Sequence, residues 1–349
     1  HPWSYLKERN RTPVRTSETA EEYQKASKEQ RDAAKDQGGF VGGWLKDGRR
    51  IAQNVLSRSI GVLDADNIPS EVDFPALVRG KLGGCEYFLY STHSHTLEAP
   101  RFRIAILFNR EVEPDEYPAL MRMIAKQIGM DYFDDSTYQA NRMMYWASCP
   151  VNGEFVFEEN NGEALNPDVF LAMYDDWRDV SQWPTSSRQS EAIQKSALRQ
   201  MDPLAKGGLV GAFNRAYFPI ENAITEFLSD VYEPAAVPGR YSYIPADSVA
   251  GVVIYDDRFV YSFHASDPAC ERLSNAFDIV RAHKFGNLDE KESYKAMCGF
   301  AQEQPAVKAL LAEEREKQAQ YDFKDADDNW KSKLAYMPRS KLLENSVWN

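Results

Sequence analysis

An apolar stretch, Ser59-Ile-Gly-Val-Leu63, runs directly into Asp64-Ala-Asp66. Side chains two apart on a strand share a face, so Asp64 and Asp66 present two carboxylates side by side at its end. Two such charges repel unless a cation lies between them, and hard oxygen donors suit Mg2+ or Mn2+. The chemistry served by such a pair is in-line displacement at phosphorus, in which two ions about 3.5–4 Å apart clamp the attacking and leaving oxygens. Turns and helix caps also favour Asp, so a lone D-x-D is weak. The next apolar strand ends in Ser91-Thr-His-Ser-His95, and parity puts Ser91, His93 and His95 on one face. Histidines there can donate to nucleotide phosphates or, as neutral imidazoles, ligate a metal. Arg101 and Arg103 follow Pro100 and share a face, with planar forks that match phosphate oxygens. Two ions need a third acid. Asp131, Asp134 and Asp135 stand before a last strand at 142–148, with Arg142 at the same end, and spacing does not choose among the three.

For these groups to meet, the elements must bring separate strand ends together. The pattern predicts a strand at 59–65, an amphipathic helix at 70–82, and strands at 85–93 and 102–109. A helix follows Pro114, with Tyr117, Leu120, Met121, Ile124 and Ile128 at helical spacing, before the strand at 142–148. That order, β-α-β-β-α-β, is the split βαβ of ferredoxin-like and RNA-recognition-motif folds, within an α+β class. In that topology the last strand pairs beside the first, so an acid at its entry reaches Asp64 and Asp66. Upstream, residues 20–35 read as one helical stretch and Gly38–Gly43 as a loop. The expected organisation is an N-terminal helical extension at 1–37, a catalytic domain at 38–184 ending in the linker around Trp183–Ser187, a mostly helical domain with a small β-hairpin at 190–322, and a linker or tail at 323–349. In that second domain Tyr241, Tyr243 and Tyr261 are candidates to stack on bases.

The 349 residues suffice for two cores, and no apolar run approaches the roughly 20 residues of a membrane span. The first twenty residues are polar and charged, without a signal-peptide pattern. Four separated cysteines, with no C-x-x-C, suggest neither a zinc knuckle nor a disulfide framework and fit a reducing cytoplasm. A net charge of −12 argues against coating DNA by charge alone, and the basic clusters at Lys7–Arg15, Lys195–Lys206 and Lys331–Lys341 read as solvated surface.

The order of these motifs resembles the archaeo-eukaryotic primase superfamily. More closely, it is similar to the amino-terminal region of phage and prophage virulence-associated E replication proteins. The likeness runs through Phe40-Val-Gly-Gly43, Ser91-Thr-His-Ser-His-Thr96, Pro100-Arg-Phe-Arg103, Asp134-Asp-Ser-Thr137, Arg142-Met-Met-Tyr-Trp146 and Asp175-Asp-Trp-Arg-Asp179. It continues through Gly211-Ala-Phe-Asn-Arg-Ala-Tyr217, Arg240-Tyr-Ser-Tyr243, Asp267-Pro268, Asn275–Arg281 and His283-Lys-Phe-Gly286, and so covers residues 38–290.

The resemblance implies a primase-polymerase working by a two-ion mechanism. Mg2+ or Mn2+ would sit on Asp64, Asp66 and Asp134. His95 would contact the incoming nucleotide's phosphates, with His93 second and Ser91 beside them, and Arg101, Arg103 and Arg142 would bind triphosphate. It further implies a single-stranded DNA template, nucleoside triphosphates and a replicative helicase as partners, and no membrane, in the cytoplasm of a bacterium or phage-infected host. Asn214 stands where the family leads one to expect a cysteine, and Ser262-Phe-His264 where a second histidine is commoner. With no helicase segment, the chain is expected to be a separated or truncated primase portion. Two other readings remain: a rolling-circle nicking nuclease using His93 and His95 as a metal-binding pair, and a non-catalytic module that binds single strands or loads a helicase.

Overall fold

The computed structural model describes residues 2–189, 200–270 and 272–323. Along the chain, α1 (Trp3–Arg11), β1 (Val14–Arg15), α2 (Ala20–Lys25), α3 (Lys28–Lys35), β2 (Gly39–Phe40) and β3 (Gly43–Leu45) lead into the long strand β4 (Val55–Ala65). Then come α4 (Phe74–Leu82), β5 (Tyr87–Ser91), β6 (Phe102–Val112), α5 (Glu116–Ile128), β7 (Met144–Tyr145), β8 (Ser148–Cys149), β9 (Phe157–Asn160) and α6 (Pro167–Leu171). The main sheet is antiparallel, in the order β3-β4-β6-β5-β9. β4 and β5 both run against β6 between them, as a split βαβ requires.

Nearly all of β4 is buried on both faces, and its parity sorts the core. Leu63 and Ala65 pack with Leu89, Ile104 and Ile106 beneath α4 and α5. Ile60 and Val62 turn the other way, with Phe88, Tyr90 and Ala105, against Leu6 of α1, Phe40 and Met144. Each of these side chains, taken out of water, contributes roughly 1.5–3 kcal/mol before the cost of ordering. Residues 64 and 66 continue the parity of 60 and 62. The D-x-D therefore extends the face covered by the N-terminal segments, not the face covered by α4 and α5.

Several expectations need correction. The segment 142–148 does not pair beside β4; Met144–Tyr145 pairs with Gly39–Phe40, and Ser148–Cys149 runs parallel to Val14–Arg15. The position beside β4 is taken instead by β3 along Val55–Arg58 and, at the far end, by a bridge between Ala65 and Phe133. β4 needs no longer partner there, because its edge is met by other donors and acceptors. Tyr117 Oη accepts the Val62 N–H at 3.2 Å, Thr137 Oγ1 accepts the Asp64 N–H at 3.0 Å and donates to Val62 O, and the Asp134 N–H donates to Asp64 O at 2.9 Å. The stretch 20–35 is two helices, because Ser27 forms a capping box with Gln30 and starts a new one. The glycine-rich 38–43 stretch forms the short strands β2 and β3 rather than a loop. At Gly43 a Cβ would stand 2.0 Å from Ser57 O, so only glycine lets these backbones meet. The basic residues at the start bind within the fold: Lys7 pairs with Glu86, Arg11 with Glu159, and Arg15 donates to the carbonyls of Pro150, Val151 and Gly153.

Residues 183–189 pack onto the first unit: Arg122 donates to Pro184 O and Gln189, and Ser186 Oγ to Asp135. Beyond them, α7 (Gly208–Ala216), α8 (Glu221–Phe227), α9 (Ala276–Phe285), α10 (Glu290–Glu303) and α11 (Pro305–Phe323) surround a second apolar cluster. The expected small hairpin is part of a four-stranded antiparallel sheet, β10 (Tyr232–Pro234), β11 (Arg240–Tyr243), β12 (Val252–Tyr255) and β13 (Phe259–Ser262). The hairpin turn itself falls at Asp256 and Asp257, both with positive φ. The second unit meets the first where Ser266 donates to both oxygens of Asp115. The basic stretch from Lys195 lies partly, and the tail from 324 wholly, outside the described residues.

Candidate active site

Antiparallel register sets Asp64 opposite Arg103. Arg103 Nη2 donates to Asp64 Oδ2 at 2.7 Å, and Nη1 to Tyr145 O at 2.9 Å and Tyr90 Oη at 3.3 Å. Two residues on, Arg101 Nη1 lies 3.1 Å from Asp66 Oδ2. The D-x-D and R-x-R thus form two cross-strand ion pairs, the inner one nearly buried. Burial acts to lower the Arg103 pKa, but the facing Asp64 and Tyr90 outweigh it and hold the guanidinium above its ordinary value. Burial, reinforced by the neighbouring Asp64 carboxylate and by Asp134, raises the Asp66 carboxyl, with Arg101 opposing.

The bridge at Phe133 delivers Asp134 to the same corner. A cavity of about 220 Å3 is lined by Asp64, Asp66, Asp134, His93, Arg101, Arg103 and Arg142 together with Lys35, Tyr90, Thr92, Tyr145 and Trp146. Asp131 and Asp135 face elsewhere: Asp131 accepts the Ser187 N–H and Asp135 the Ser186 hydroxyl. Among the described residues no side chain bonds Arg142.

The serine and histidines do not share a face as parity suggested, because β5 ends at Ser91 and residues 92–95 form a turn closed by His95 N–H to Thr92 O. Ser91 is fully buried, exchanges hydrogen bonds with Val156 and does not line the cavity. His93 is held at both nitrogens, Nδ1 to Ser148 Oγ at 2.9 Å and Nε2 to Glu18 Oε1 at 3.1 Å, and packs on the ring of Tyr23. His95 Nδ1 accepts the Arg101 N–H at 3.0 Å, which leaves the proton on Nε2, a buried donor with no acceptor. Burial lowers the pKa of both imidazoles.

Two features fit a hard cation. Asp64 Oδ1 is buried without a hydrogen-bond partner, and burial together with the neighbouring carboxylates raises Asp66. Yet among the described residues no three His, Cys, Asp or Glu side chains are gathered closely enough to hold an ion, and Arg101 and Arg103 occupy two of the acids. Lys35, Thr137 and Tyr145 were not foreseen. Lys35 reaches the cavity from the N-terminal extension, for which spacing offers no signal, whereas the matching i, i+2 spacing of Asp64/Asp66 and Arg101/Arg103 could have revealed the cross-strand pairs. The tyrosines of the second unit pack on one another's neighbours: Tyr243 on Tyr232, His264 and His283, Tyr261 on Phe263, and Tyr241 against the apolar cluster.

The chain matches the VapE N-terminal domain family over residues 1–186, more than half its length, and belongs to that family. The match begins at residue 1, so it includes the N-terminal helices as well as the sheet. Among solved structures, the AEP domain of the cyanophage S-2L primase-polymerase (PrimPol) is similar at 18% identity, covering 42% of this chain and 76% of that one, with a TM-score of 0.31. No curated protein matches.

Proposed function

We propose that the chain is a primase-like replication protein that transfers nucleotides from nucleoside triphosphates to a 3′-hydroxyl on a single-stranded DNA template. The observation that supports this reading is that three carboxylates from two chain segments and three arginines line one cavity. Acid and base are alternated there as a phosphoryl-transfer site needs: oxygens for cations, guanidiniums for phosphates. Asp64, Asp66 and Asp134 are not gathered closely enough to hold an ion as they stand; with Arg101 off Asp66 they would hold Mg2+ or Mn2+, which would lower the pKa of the attacking hydroxyl and neutralise the leaving pyrophosphate. Arg142, without a side-chain partner among the described residues, is open to a phosphate oxygen. Arg101 must leave Asp66, and is then in reach of the triphosphate. Arg103, which makes three hydrogen bonds, orients Asp64 and the Tyr145 carbonyl rather than moving. His95 Nε2–H donates to a phosphate while neutral.

A nicking nuclease would need both imidazoles free for a metal, and His93 has neither nitrogen free. The binding-module reading is weakened by the buried Asp64 oxygen left without a partner, a costly feature for a merely structural site. The test is primer synthesis on a single-stranded circle with Mg2+ or Mn2+, comparing the parent with Asp64→Ala/Asp66→Ala. Product from the parent and none from the variant is expected. Undiminished product from the variant refutes the assignment, and product from neither leaves the binding module.

A further inference from the structure

The acidic cavity, at about 220 Å3, is smaller than the roughly 300–1,000 Å3 usual for small-molecule sites. A second chamber of about 450 Å3 adjoins it, and the two share Lys35, His93, Ser94 and Arg101 as lining. Its far wall is α2 and α3. α3 buries no side chain, so apolar packing does not explain its position. It carries Lys28, Arg31 and Lys35 at i, i+3 and i+7, one helical face, and all three line the chamber. Among the described residues the only acid there is Asp32, which is paired with Lys35 at 2.7 Å. Among the described residues Lys28 and Arg31 make no close ion pair and act on Asp32 only at longer range. Into the same chamber faces His95, 8% exposed, whose Nε2–H donor lacks an acceptor. Lys28, Arg31 and the Asp32-paired Lys35 on one helix face, with a buried donor aimed into the same space, make the chamber electropositive and suited to an anion.

We propose that this chamber receives the β- and γ-phosphates of the incoming nucleoside triphosphate, with Lys28 and Arg31 of the N-terminal extension as its outer wall. The proposal rests on the nucleotidyl-transfer reading and deepens it: the reacting α-phosphate lies at the acids, and the polyphosphate tail crosses Arg101 and Lys35 into the basic chamber. The N-terminal helices are then part of the nucleotide site, and the helix that buries nothing is held in place for its charge.

The test is calorimetric titration of the full chain, in Mg2+, with ATP and dATP, the corresponding monophosphates, and a thymidine 20-mer. The parent is compared with Lys28→Ala/Arg31→Ala. Both positions are exposed on a helix without buried residues, and alanine is the best helix former, so unfolding is checked simply by circular dichroism. Two exposed charge pairs, each worth about 1.4- to 5-fold, predict triphosphate affinity down roughly 2- to 25-fold, with monophosphate and oligonucleotide within twofold of the parent. Triphosphate affinity within twofold of the parent overturns the proposal. So does a parent that binds triphosphate no better than monophosphate, and so does an equal loss for the oligonucleotide, which would make this face a strand contact. If triphosphate binding depends on Lys28 and Arg31 but no Asp64-dependent primer appears, the chamber stands and the polymerase reading falls.

Discussion

Arg103→Met tests whether the cross-strand pairs are the frame of the site. The change keeps volume and removes charge. Asp64 then keeps a largely buried carboxylate with one oxygen already unpartnered and the other stripped of its 2.7 Å counter-ion. Breaking a buried pair from one side costs about 3–5 kcal/mol. The side chains here are 8% and 16% exposed, so solvent screening takes little of that away. At about 2–4 °C per kcal/mol for a unit of this size, the midpoint of thermal unfolding without divalent cations falls by roughly 6–20 °C. Two additions separate lost charge from lost packing. Asp64→Asn placed on Arg103→Met removes the stranded carboxylate and recovers at least half of the loss. Millimolar Mn2+ stabilises Arg103→Met more than it stabilises the parent, because the cation replaces the missing positive charge. Thermal and urea unfolding followed by tryptophan fluorescence, each with and without Mn2+, give the midpoints and the free energies. A loss below about 1 kcal/mol, or no recovery in the double variant, refutes the view that Asp64 and Arg103 hold each other in a dry corner.

Thr137→Val, nearly isosteric, leaves the Asp64 N–H and Val62 O without their hydroxyl and costs about 1–3 kcal/mol per orphaned group in chemical denaturation; a cost near zero shows that this turn does not pin β4. Asn214 Oδ1 accepts the Ala276 N–H at the start of α9 while Nδ2 donates to Val210 O, so Asn214→Ala destabilises the second unit by about 1–2 kcal/mol in calorimetry. The same pair of bonds accounts for asparagine where the family resemblance led us to expect cysteine. His264 is wholly buried, with Nε2 accepting the N–H groups of Tyr243 and Gly251, and burial lowers its pKa against the opposing pull of Asp115 and Asp267. The unfolded chain therefore takes up that proton first, near pH 6.5, and stability is lost as pH falls from there through the lowered folded value. In unfolding free energy measured from pH 8 to pH 5, His264→Gln has a shallower acid slope than the parent, and an unchanged slope removes His264 as the cause.

The local rules of the chain were enough for its long elements. β4, β6, α4 and α5 follow from periodicity and from caps such as Asp73 before α4, whose Oδ1 accepts the Ala76 N–H. The candidates Asp64, Asp66, Arg101 and Arg103 follow from residue type and strand parity, which depend only on neighbours in sequence, whereas Arg142 was placed by a strand at 142–148 that does not pair as expected. What parity could not supply was contact between segments. Short strands such as β2, β7 and β8 have too few residues to show a period, so 142–148 read as the missing fourth strand while β3 and a bridge at Phe133 held that place. The choice of Asp134 over Asp131 and Asp135 for the cavity wall turned on that bridge and on the turn at Ser186–Ser187. His93 and His95 were parted by a strand that ended two residues early. The pairing of acids with arginines, and the arrival of Lys35 from an extension some thirty residues upstream, depend on register and on which sheet face the N-terminal helices cover. Those are set by the sum of many long-range packing terms, and only the folded chain computes that sum.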